Sequence, residues 1–371
     1  MSTTLNRPDS AMQEQKKEYL PAGYHSGWDG WIAENLIKGV PRSRVQERLC
    51  ERGFGEAFAK GRIEKVLSDP LTRLARRFFL REQKYAELLA ALSYLREGDE
   101  NAGQLETTEA LDAKDFYDRF VLANRPVLIK GLVRGWPALA KWSPDYFLQT
   151  LGDIPIEITD GREADTRYEE NFQQHAARTS LSSFVERLKQ SGPSNNFYLC
   201  AKNDLLGQPK SRVLLKDFDY PPGYLSEAAP KSLAGLWVGP AGTWTALHHD
   251  ASNILFTQVC GTKSVRLIAP IFLPRVYNSR SCWSDVDIRA LDFSQFPLMK
   301  GVPILEALVC PGDALLIPTG WCHAVESIEP SISLSFTNFK HDRRAHVWRW
   351  RPGLRGDPHE GSSSTNADLE L

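Results

Sequence analysis

The chain has 371 residues and a formal net charge of −1, so its bulk charge does not direct it to nucleic acid or to an anionic membrane surface. Six cysteines without a CxxC pair favour free thiols in a reducing compartment. Residues 1–18 are polar and lack the apolar segment of a signal peptide, and no stretch has the roughly 20 apolar residues of a membrane span. We therefore predict a cytoplasmic protein that does not cross a membrane.

The N-terminal part of the chain has the apolar periodicity of helices. We predict a disordered segment over residues 1–20 and a helical domain over residues 21–100. Its longest helix begins at Asp69-Pro70 and extends for about two dozen residues. Such an amphipathic helix can pack on its own domain or serve a partner, so a homodimer is one expectation. Its apolar residues recur at steps of three and four: Leu71, Leu74, Phe78, Tyr85, Leu88, Leu89, Leu92 and Leu95.

Short strands are predicted in the rest of the chain. The polar segment 98–106 is typical of a linker, which places a domain boundary near residue 100. Many apolar runs bounded by Gly, Pro, Asn and Asp then favour a mainly β sandwich or jelly-roll barrel with helical additions, over residues 101–345. The tail 346–371 is predicted to be largely disordered. Strands are predicted at 125–131, 154–159, 197–200, 233–238, 254–259, 264–268, 307–309, 314–317 and 331–336, and helices at 113–122, 144–151 and 181–190.

A metal site is indicated by a His-x-Asp pair on a predicted strand. Side chains at positions i and i+2 of a strand share one face, so His248 and Asp250 can bind the same ion while His249 points away. A second imidazole, His323, follows the predicted strand 314–317. Two histidines and one carboxylate form the facial triad of non-heme Fe(II) oxygenases.

A lysine downstream of the His-x-Asp pair is the second indication of a site. Lys263 lies thirteen residues after Asp250, beyond a turn at Gly261. A lysine inside an apolar barrel is unfavourable unless an anion neutralises it, which suggests a dicarboxylate ligand. The alternative is a solvent-facing lysine on a hairpin. Thr245 could add a hydroxyl group, but a regular strand would place it on the face opposite His248, so a bend or bulge before His248 is required.

Several sequence blocks, in matching order, resemble the JmjC, or cupin-like, 2-oxoglutarate oxygenases. The resemblance extends over roughly residues 108–340 and is greatest to the small hydroxylase branch that includes the asparaginyl hydroxylase of hypoxia-inducible factor. The segment 28–96 resembles the N-terminal extension of bacterial members. The resemblance implies a double-stranded β-helix, the cupin jelly roll, preceded by a helical domain. The matching blocks are 125–131, 236–243, 245–250, 258–263, 311–323 and 331–336.

The resemblance also implies a role for each matching residue. His248, Asp250 and His323 match the Fe(II) ligands of the family. Lys263 matches the lysine that pairs with the distal carboxylate of the co-substrate, 2-oxoglutarate. The implied reaction consumes O2 and releases succinate and CO2 as it hydroxylates a C–H bond.

Further positions complete the implied pocket, with one departure. Thr245 and Tyr198 match residues beside the distal carboxylate, and Trp237 matches an aromatic residue on the pocket wall. Many relatives carry Asn four residues after the metal-binding Asp, but here that position is Ile254 and the asparagine is Asn253. A polar contact near the co-substrate is therefore missing or moved.

The substrate stays open at this point. We expect a dioxygenase that hydroxylates an amino-acid side chain of a protein or peptide. A small-molecule or tRNA-base hydroxylase and an N-methyl demethylase are alternatives on the same fold, because the loops 160–175 and 202–232 select the substrate. A non-catalytic cupin-like binding protein is the alternative from another class. Histone demethylation is less attractive without a zinc-finger or chromatin-reader pattern, and the basic and aromatic cluster at 343–351 is not a strong nucleic-acid signal.

Overall fold

The computed structural model describes residues 20–97, 103–278 and 282–340. The two segments predicted to be disordered, apart from residue 20, and the cluster at 343–351 lie outside these residues. The chain divides into two compact units between Leu88 and Leu89. The predicted domain limits at 21–100 and 101–345 stay predictions.

The N-terminal region is helical, with helices α1 (Ser26–Ile37), α2 (Arg42–Glu51), α3 (Glu56–Ser68) and α4 (Pro70–Glu97). Asp69 explains where α4 begins: its side chain accepts a hydrogen bond from the Thr72 amide at 2.7 Å, and Pro70 occupies the first helical position. The buried Arg62 of α3 forms an ion pair with Asp29 of α1. Helices α1 to α3 enclose an apolar core that includes Ile32, Leu36, Val45, Leu49, Ala59 and Ile63.

Thirteen strands occur in the described part of the second unit. A six-stranded sheet has the order β1-β2-β11-β8-β13-β6, a four-stranded sheet β10-β9-β12-β7, and a small sheet β4-β3-β5. All neighbours are antiparallel except β1 and β2. The strands are β1 (Glu106–Thr108), β2 (Val127–Ile129), β3 (Pro155–Asp160), β4 (Ala176–Ser180), β5 (Phe197–Tyr198), β6 (Gly235–Gly239), β7 (Trp244–His249), β8 (Ile254–Cys260), β9 (Lys263–Ile268), β10 (Leu305–Val309), β11 (Ala314–Ile317), β12 (Cys322–Ser327) and β13 (Ser331–Phe336).

The six-stranded and four-stranded sheets share one apolar core. Leu128, Phe256 and Leu315 of the larger sheet pack in the same cluster as Leu247 and Val265 of the smaller sheet. The two sheets therefore face each other, as the two sheets of a jelly roll do. The prediction of a mainly β fold with a helical N-terminal region is confirmed.

Helices cover the other face of the six-stranded sheet. Phe116, from a helical segment before β2, and Phe147 share a second core with Leu236 and Leu334 of that sheet. The helices of this unit are α5 (Ala113–Asp115), which continues as a π-helix over Phe116–Val121, α6 (Ala138–Lys141), α7 (Pro144–Leu151), α8 (Phe172–His175) and α9 (Leu181–Gln190). Short 3-10 segments lie at Arg162–Ala164, Leu205–Gly207, Pro209–Lys216, Lys231–Leu233, Pro270–Arg275 and Pro297–Met299.

Two further observations bear on the environment of the protein. Among the helices that the structure describes, none combines the length and hydropathy that crossing a bilayer requires. Cys50, Cys200, Cys260, Cys310 and Cys322 are free thiols.

Candidate active site

Two neighbouring strands of the four-stranded sheet bring the predicted metal ligands together. His248 of β7 lies directly opposite His323 of β12, and their imidazole centroids are 4.2 Å apart. Asp250 Oδ2 lies 3.7 Å from His248 Nε2 and 3.6 Å from His323 Nε2. One potential ligand atom of each side chain lies within 4.8 Å of the other two. Bonds of about 2.1 Å place adjacent donors of an octahedral ion about 3 Å apart, so this set fits a metal after a slight closure.

Hydrogen bonds leave the same nitrogen of both imidazoles available to a metal. His248 Nδ1 lies 2.8 Å from the carbonyl oxygen of Ala246, and His323 Nδ1 lies 3.1 Å from that of Trp321. Because a carbonyl oxygen only accepts, each Nδ1 carries a proton, and in the neutral imidazole the lone pair is then on Nε2. Burial, reinforced by the neighbouring His248, lowers the pKa of His323 and favours the neutral, metal-binding form.

A β-bulge in β7 places Thr245 on the same face as His248. Thr245 pairs with Val325, and His248 pairs with His323. Between these two pairs, β7 has two residues and β12 has only one. The extra residue reverses the alternation of side chains, so the bend that the sequence required is present.

Lys263 lies on the same face of this sheet. It is opposite Ser327 of β12, four residues along from His323, which corresponds to roughly 13 Å along the strand. The pair of Thr245 and Val325 lies between Lys263 and the two histidines. The sheet therefore arranges the candidate metal ligands, a hydroxyl group and an ammonium group in a row.

The Lys263 ammonium is buried without a counter-charge. The residue is 1% exposed, and its Nζ donates a hydrogen bond to Tyr198 Oη at 3.0 Å. Within the described residues no carboxylate pairs with it, and burial lowers its pKa to about 7. This burial contradicts the alternative of a solvent-facing lysine. A buried cation of this kind is unfavourable until an anion binds beside it.

Tyr198 lies next to this ammonium group, and Trp237 packs beside Tyr198. Their rings are 5.7 Å apart, and the Trp237 indole donates to Ser335 Oγ at 3.0 Å. Burial raises the pKa of Tyr198, so its phenol keeps the proton. The Tyr198 hydroxyl accepts from Lys263 and can still donate to a carboxylate.

Asn253 has a structural role beside the candidate ligands. Its Oδ1 accepts hydrogen bonds from the Thr319 amide at 2.9 Å and from the Thr319 hydroxyl at 3.2 Å. The neighbouring Gly320 amide donates to the Asp250 carbonyl oxygen at 3.0 Å. These bonds attach the turn before His323 to the segment after Asp250. Ile254, at the position where many relatives have Asn, pairs with Ile317 in the sheet.

Sequence reasoning missed an aromatic residue against the metal ligands. Trp283 stacks on His248, with ring centroids 4.4 Å apart and an interplanar angle of 30°. A backbone bridge joins the same two residues. Trp283 lies in a segment without periodicity, so no signal in the sequence placed it here.

Sequence reasoning also missed a buried arginine in the loop 160–175. Arg162, 2% exposed, donates through Nη2 to Glu169 Oε1 at 3.0 Å and to the Trp244 carbonyl oxygen at 2.7 Å. Its guanidinium lies 4.3 Å from the ring centroid of Tyr168 and 5.3 Å from that of Tyr198. Burial raises the pKa of Glu169, although Arg162 opposes this shift. The loop 160–175 thus packs against Trp244 of β7 and against Tyr198, the residue that accepts the hydrogen bond from Lys263.

A cavity of about 260 Å³ lies beside the candidate metal ligands, where Trp283 forms part of its wall. Three carboxylates, from Glu169, Glu170 and Asp285, and one guanidinium, from Arg167, line it. The lining therefore has more acidic than basic side chains, and it includes the aromatic rings of Tyr168 and Trp283. Such a cavity suits a cationic side chain. Its lining residues are Thr166, Arg167, Tyr168, Glu169, Glu170, Ala246, Trp283, Ser284 and Asp285.

Comparison with known proteins identifies the class to which this fold and site belong. Residues 113–343 match the family model described as the cupin-like domain. The chain belongs to this family, and the predicted family is confirmed.

Several characterised proteins are similar to this chain. Jumonji C domain-containing protein 5 of Drosophila melanogaster is 32% identical over 242 residues, which cover 62% of this chain and 58% of the relative. Lysine-specific demethylase 8 of Xenopus tropicalis is 27% identical over 230 residues, 60% of this chain and 49% of the relative. The human bifunctional peptidase and (3S)-lysyl hydroxylase JMJD7 is 26% identical over 287 residues, 68% of this chain and 91% of the relative.

The first two of these relatives are matched over only about half of their length. The bacterial origin and the asparaginyl-hydroxylase branch stay predictions.

Proposed function

We propose that this protein is an Fe(II)- and 2-oxoglutarate-dependent oxygenase that hydroxylates an amino-acid side chain of a protein or peptide. The observation that carries the proposal is the buried, uncompensated ammonium group of Lys263 on the same sheet face as His248 and His323. A structural metal site alone would not need a buried cation at that place. A dicarboxylate that bridges the metal and the lysine explains both features.

His248, Asp250 and His323 would hold the iron. Two neutral imidazoles and one carboxylate leave open coordination positions for the co-substrate and O2. When bound, iron and 2-oxoglutarate supply the oxidative decarboxylation that activates O2 for C–H hydroxylation. The hydrogen bonds from each Nδ1 to a backbone carbonyl fix the orientation in which Nε2 faces Asp250.

Lys263, Tyr198 and Thr245 would hold the distal carboxylate of 2-oxoglutarate. Lys263 supplies the charge, and the two hydroxyl groups supply hydrogen bonds. The indole of Trp237 forms the neighbouring wall and limits the access of water to the co-substrate.

The acidic cavity supports a cationic side chain of a protein, such as lysine, as the hydroxylated group. Glu170 and Asp285 provide negative charge, and the indole of Trp283 lies between the cavity and His248. Two of the relatives are named for lysine, as a lysyl hydroxylase and a lysine-specific demethylase. Removal of an N-methyl group from the same side chain is the second candidate reaction, since it begins at a C–H bond in the same place. A small molecule or a tRNA base lacks a comparable supporting observation.

The test is succinate formation by the purified full chain with Fe(II), ascorbate, O2 and 2-oxoglutarate. We expect turnover, coupled or uncoupled, that His248→Ala abolishes. Leu80→Glu, a change on an exposed residue of α4, serves as the control and retains turnover. If the wild-type chain neither binds 2-oxoglutarate with metal nor turns it over, the non-catalytic binding protein becomes the correct description. Peptides that gain one oxygen atom, detected by mass spectrometry, identify the substrate.

We also propose a cytoplasmic location. Its support is chemical, because Cys50, Cys200, Cys260, Cys310 and Cys322 are free thiols, which a reducing compartment preserves.

A further inference from the structure

Helix α4 exposes a row of large apolar side chains along its whole length. Their exposed fractions lie between 42% and 74%. Soluble proteins rarely leave a contiguous apolar surface of this kind unless another molecule covers it. The row consists of Leu71, Leu74, Phe78, Tyr85, Leu88, Leu92 and Leu95, and we name it the α4 row.

The spacing of the α4 row is that of a coiled coil. Its members follow one another by alternating steps of three and four residues from Leu71 to Leu95, and Arg81 occupies the one polar position in the series. The mean repeat is therefore 3.5 residues, which produces a narrow seam between two helices. A helix that packs on a globular core has a broader apolar face.

The α4 row is self-complementary in the antiparallel direction. It is symmetric about Gln83, so a second copy placed antiparallel brings Leu71 opposite Leu95 and Phe78 opposite Leu88. The same placement brings Arg81 opposite the Tyr85 ring, a favourable cation–π pairing. Parallel pairing would instead bring the two Arg81 guanidinium groups together.

The exposed area is sufficient for a stable dimer. At roughly 200 Å² for each large apolar residue, the exposed fractions leave on the order of 800 Å² per copy, the size of one side of a standard protein interface. A two-fold interface requires the same patch on both copies, which a symmetric row provides.

We propose that this protein forms a homodimer through α4, paired antiparallel with α4 of a second copy. The first experiment measures the mass of the full chain in solution by sedimentation equilibrium at micromolar concentration. We expect the wild-type chain to sediment with twice the 41.8 kDa mass of one chain. Leu88→Glu places a charge in the seam twice per dimer, and we expect it to raise the dimer Kd at least about 100-fold.

Two matched variants separate the seam from the rest of the helix and define its direction. Leu80→Glu changes an apolar residue of α4 that is 50% exposed but lies off the row, and we expect its Kd to stay at the wild-type value. Tyr85→Glu places a carboxylate opposite Arg81 in the antiparallel arrangement, so we expect a Kd within about tenfold of wild type. In a parallel pair the same change would bring two carboxylates together and dissociate the dimer.

A monomeric wild-type chain overturns the proposal, as does a Leu88→Glu variant that dimerises like wild type. Loss of the dimer in Leu80→Glu overturns the assignment to the α4 row, and loss in Tyr85→Glu overturns the antiparallel direction. Circular dichroism at 222 nm confirms that each variant is folded. The result is independent of the proposed enzymatic activity, since no turnover is measured.

Discussion

The ammonium group of Lys263 donates a hydrogen bond to the Tyr198 hydroxyl at 3.0 Å, in a region where both side chains are almost completely buried. A hydroxyl group solvates an ammonium ion but does not neutralise it. The pair therefore has a hydrogen bond of ordinary length but no compensating charge. An anionic ligand stabilises it by supplying the missing charge.

Replacement of this lysine should separate stability from co-substrate binding. In Lys263→Met we expect the free energy of unfolding without ligand to be unchanged or higher by up to about 4 kcal/mol, because a buried charge without a partner is removed. We expect 2-oxoglutarate affinity to fall about 10- to 100-fold, since a charge-assisted bond is lost. Thermal melting with and without 2-oxoglutarate measures both effects. A large loss of stability in the unliganded variant would show that Lys263 has a structural partner instead.

The low pKa of Lys263 predicts how stability depends on pH. Burial lowers its pKa from 10.5 in the unfolded chain to about 7 in the fold. Between these values the unfolded chain binds more protons than the native state, so the contribution of Lys263 to stability increases as pH rises from 7 towards 10.5. Below pH 7 the penalty for burying the charged form is fully present. Urea unfolding across this range, compared with Lys263→Met, isolates the contribution, and identical pH profiles would contradict it.

Protonation of Lys263 should also make 2-oxoglutarate binding depend on pH. Affinity should fall as pH rises above 7, whereas stability increases. Above pH 7 the free protein holds a neutral amine, and the bound dicarboxylate requires an ammonium group, so binding takes up a proton. We expect affinity to weaken by up to about tenfold per pH unit above 7. Calorimetry with Mn(II) in buffers of different ionisation enthalpy counts the protons. Lys263→Met is the control, and it should take up fewer protons than wild type.

Adjacent histidines of β7 should respond differently to substitution. His248 faces Asp250 and His323, whereas His249 alternates to the other side of the strand. We expect His248→Gln to reduce Fe(II) affinity at least about 100-fold and His249→Gln to leave it near the wild-type value. Equilibrium dialysis with Fe(II) under anaerobic conditions measures the affinities. Equal losses in the two variants would contradict the assignment of the facing side chains.

The parts of the fold that the sequence predicted are those with strong local signals. The predicted limits of β11 and α7 match the structure, because Gly and Pro mark their ends and their apolar patterns are uninterrupted. Strand β4, Ala176–Ser180, was not predicted, since it is polar and is held by its pairing with β3. Long-range pairing of this kind leaves no local pattern.

The residues of the site also divide into those with a signal in the sequence and those placed by long-range contacts. His248 and Asp250 were predicted from their spacing on a strand, and His323 and Lys263 were added because their sequence blocks resemble those of the cupin-like oxygenases. Arg162 and Trp283 were not predicted, because the contacts that place them at the site join residues distant in sequence: the Arg162 bond to Trp244 spans 82 residues. The charge of the cavity beside His248 depends on such loop residues and can be assigned only from the tertiary structure.

Asn253 should act on the metal site through the turn before His323. Asn253→Ala removes two hydrogen bonds to Thr319 in a buried place, so we expect a loss of about 1–3 kcal/mol in the free energy of unfolding. Fe(II) affinity should fall about 10- to 100-fold, because the turn positions His323. Ser252→Ala, at the preceding residue, serves as the control. An unchanged metal affinity in folded Asn253→Ala would limit the role of Asn253 to stability.

The acidic cavity should determine the preference for cationic substrates. Glu170→Lys and Asp285→Lys reverse the charge at two exposed positions of its lining. We expect KM for a lysine-containing peptide substrate to rise about tenfold or more in each variant, whereas uncoupled turnover of 2-oxoglutarate stays at the wild-type rate. The effect should weaken at high salt, since charge attraction at an exposed site is screened. A peptide in which norleucine replaces lysine provides the matched comparison, and its turnover should be insensitive to both substitutions. Equal effects on both peptides would show that the two residues shape the cavity without recognising charge.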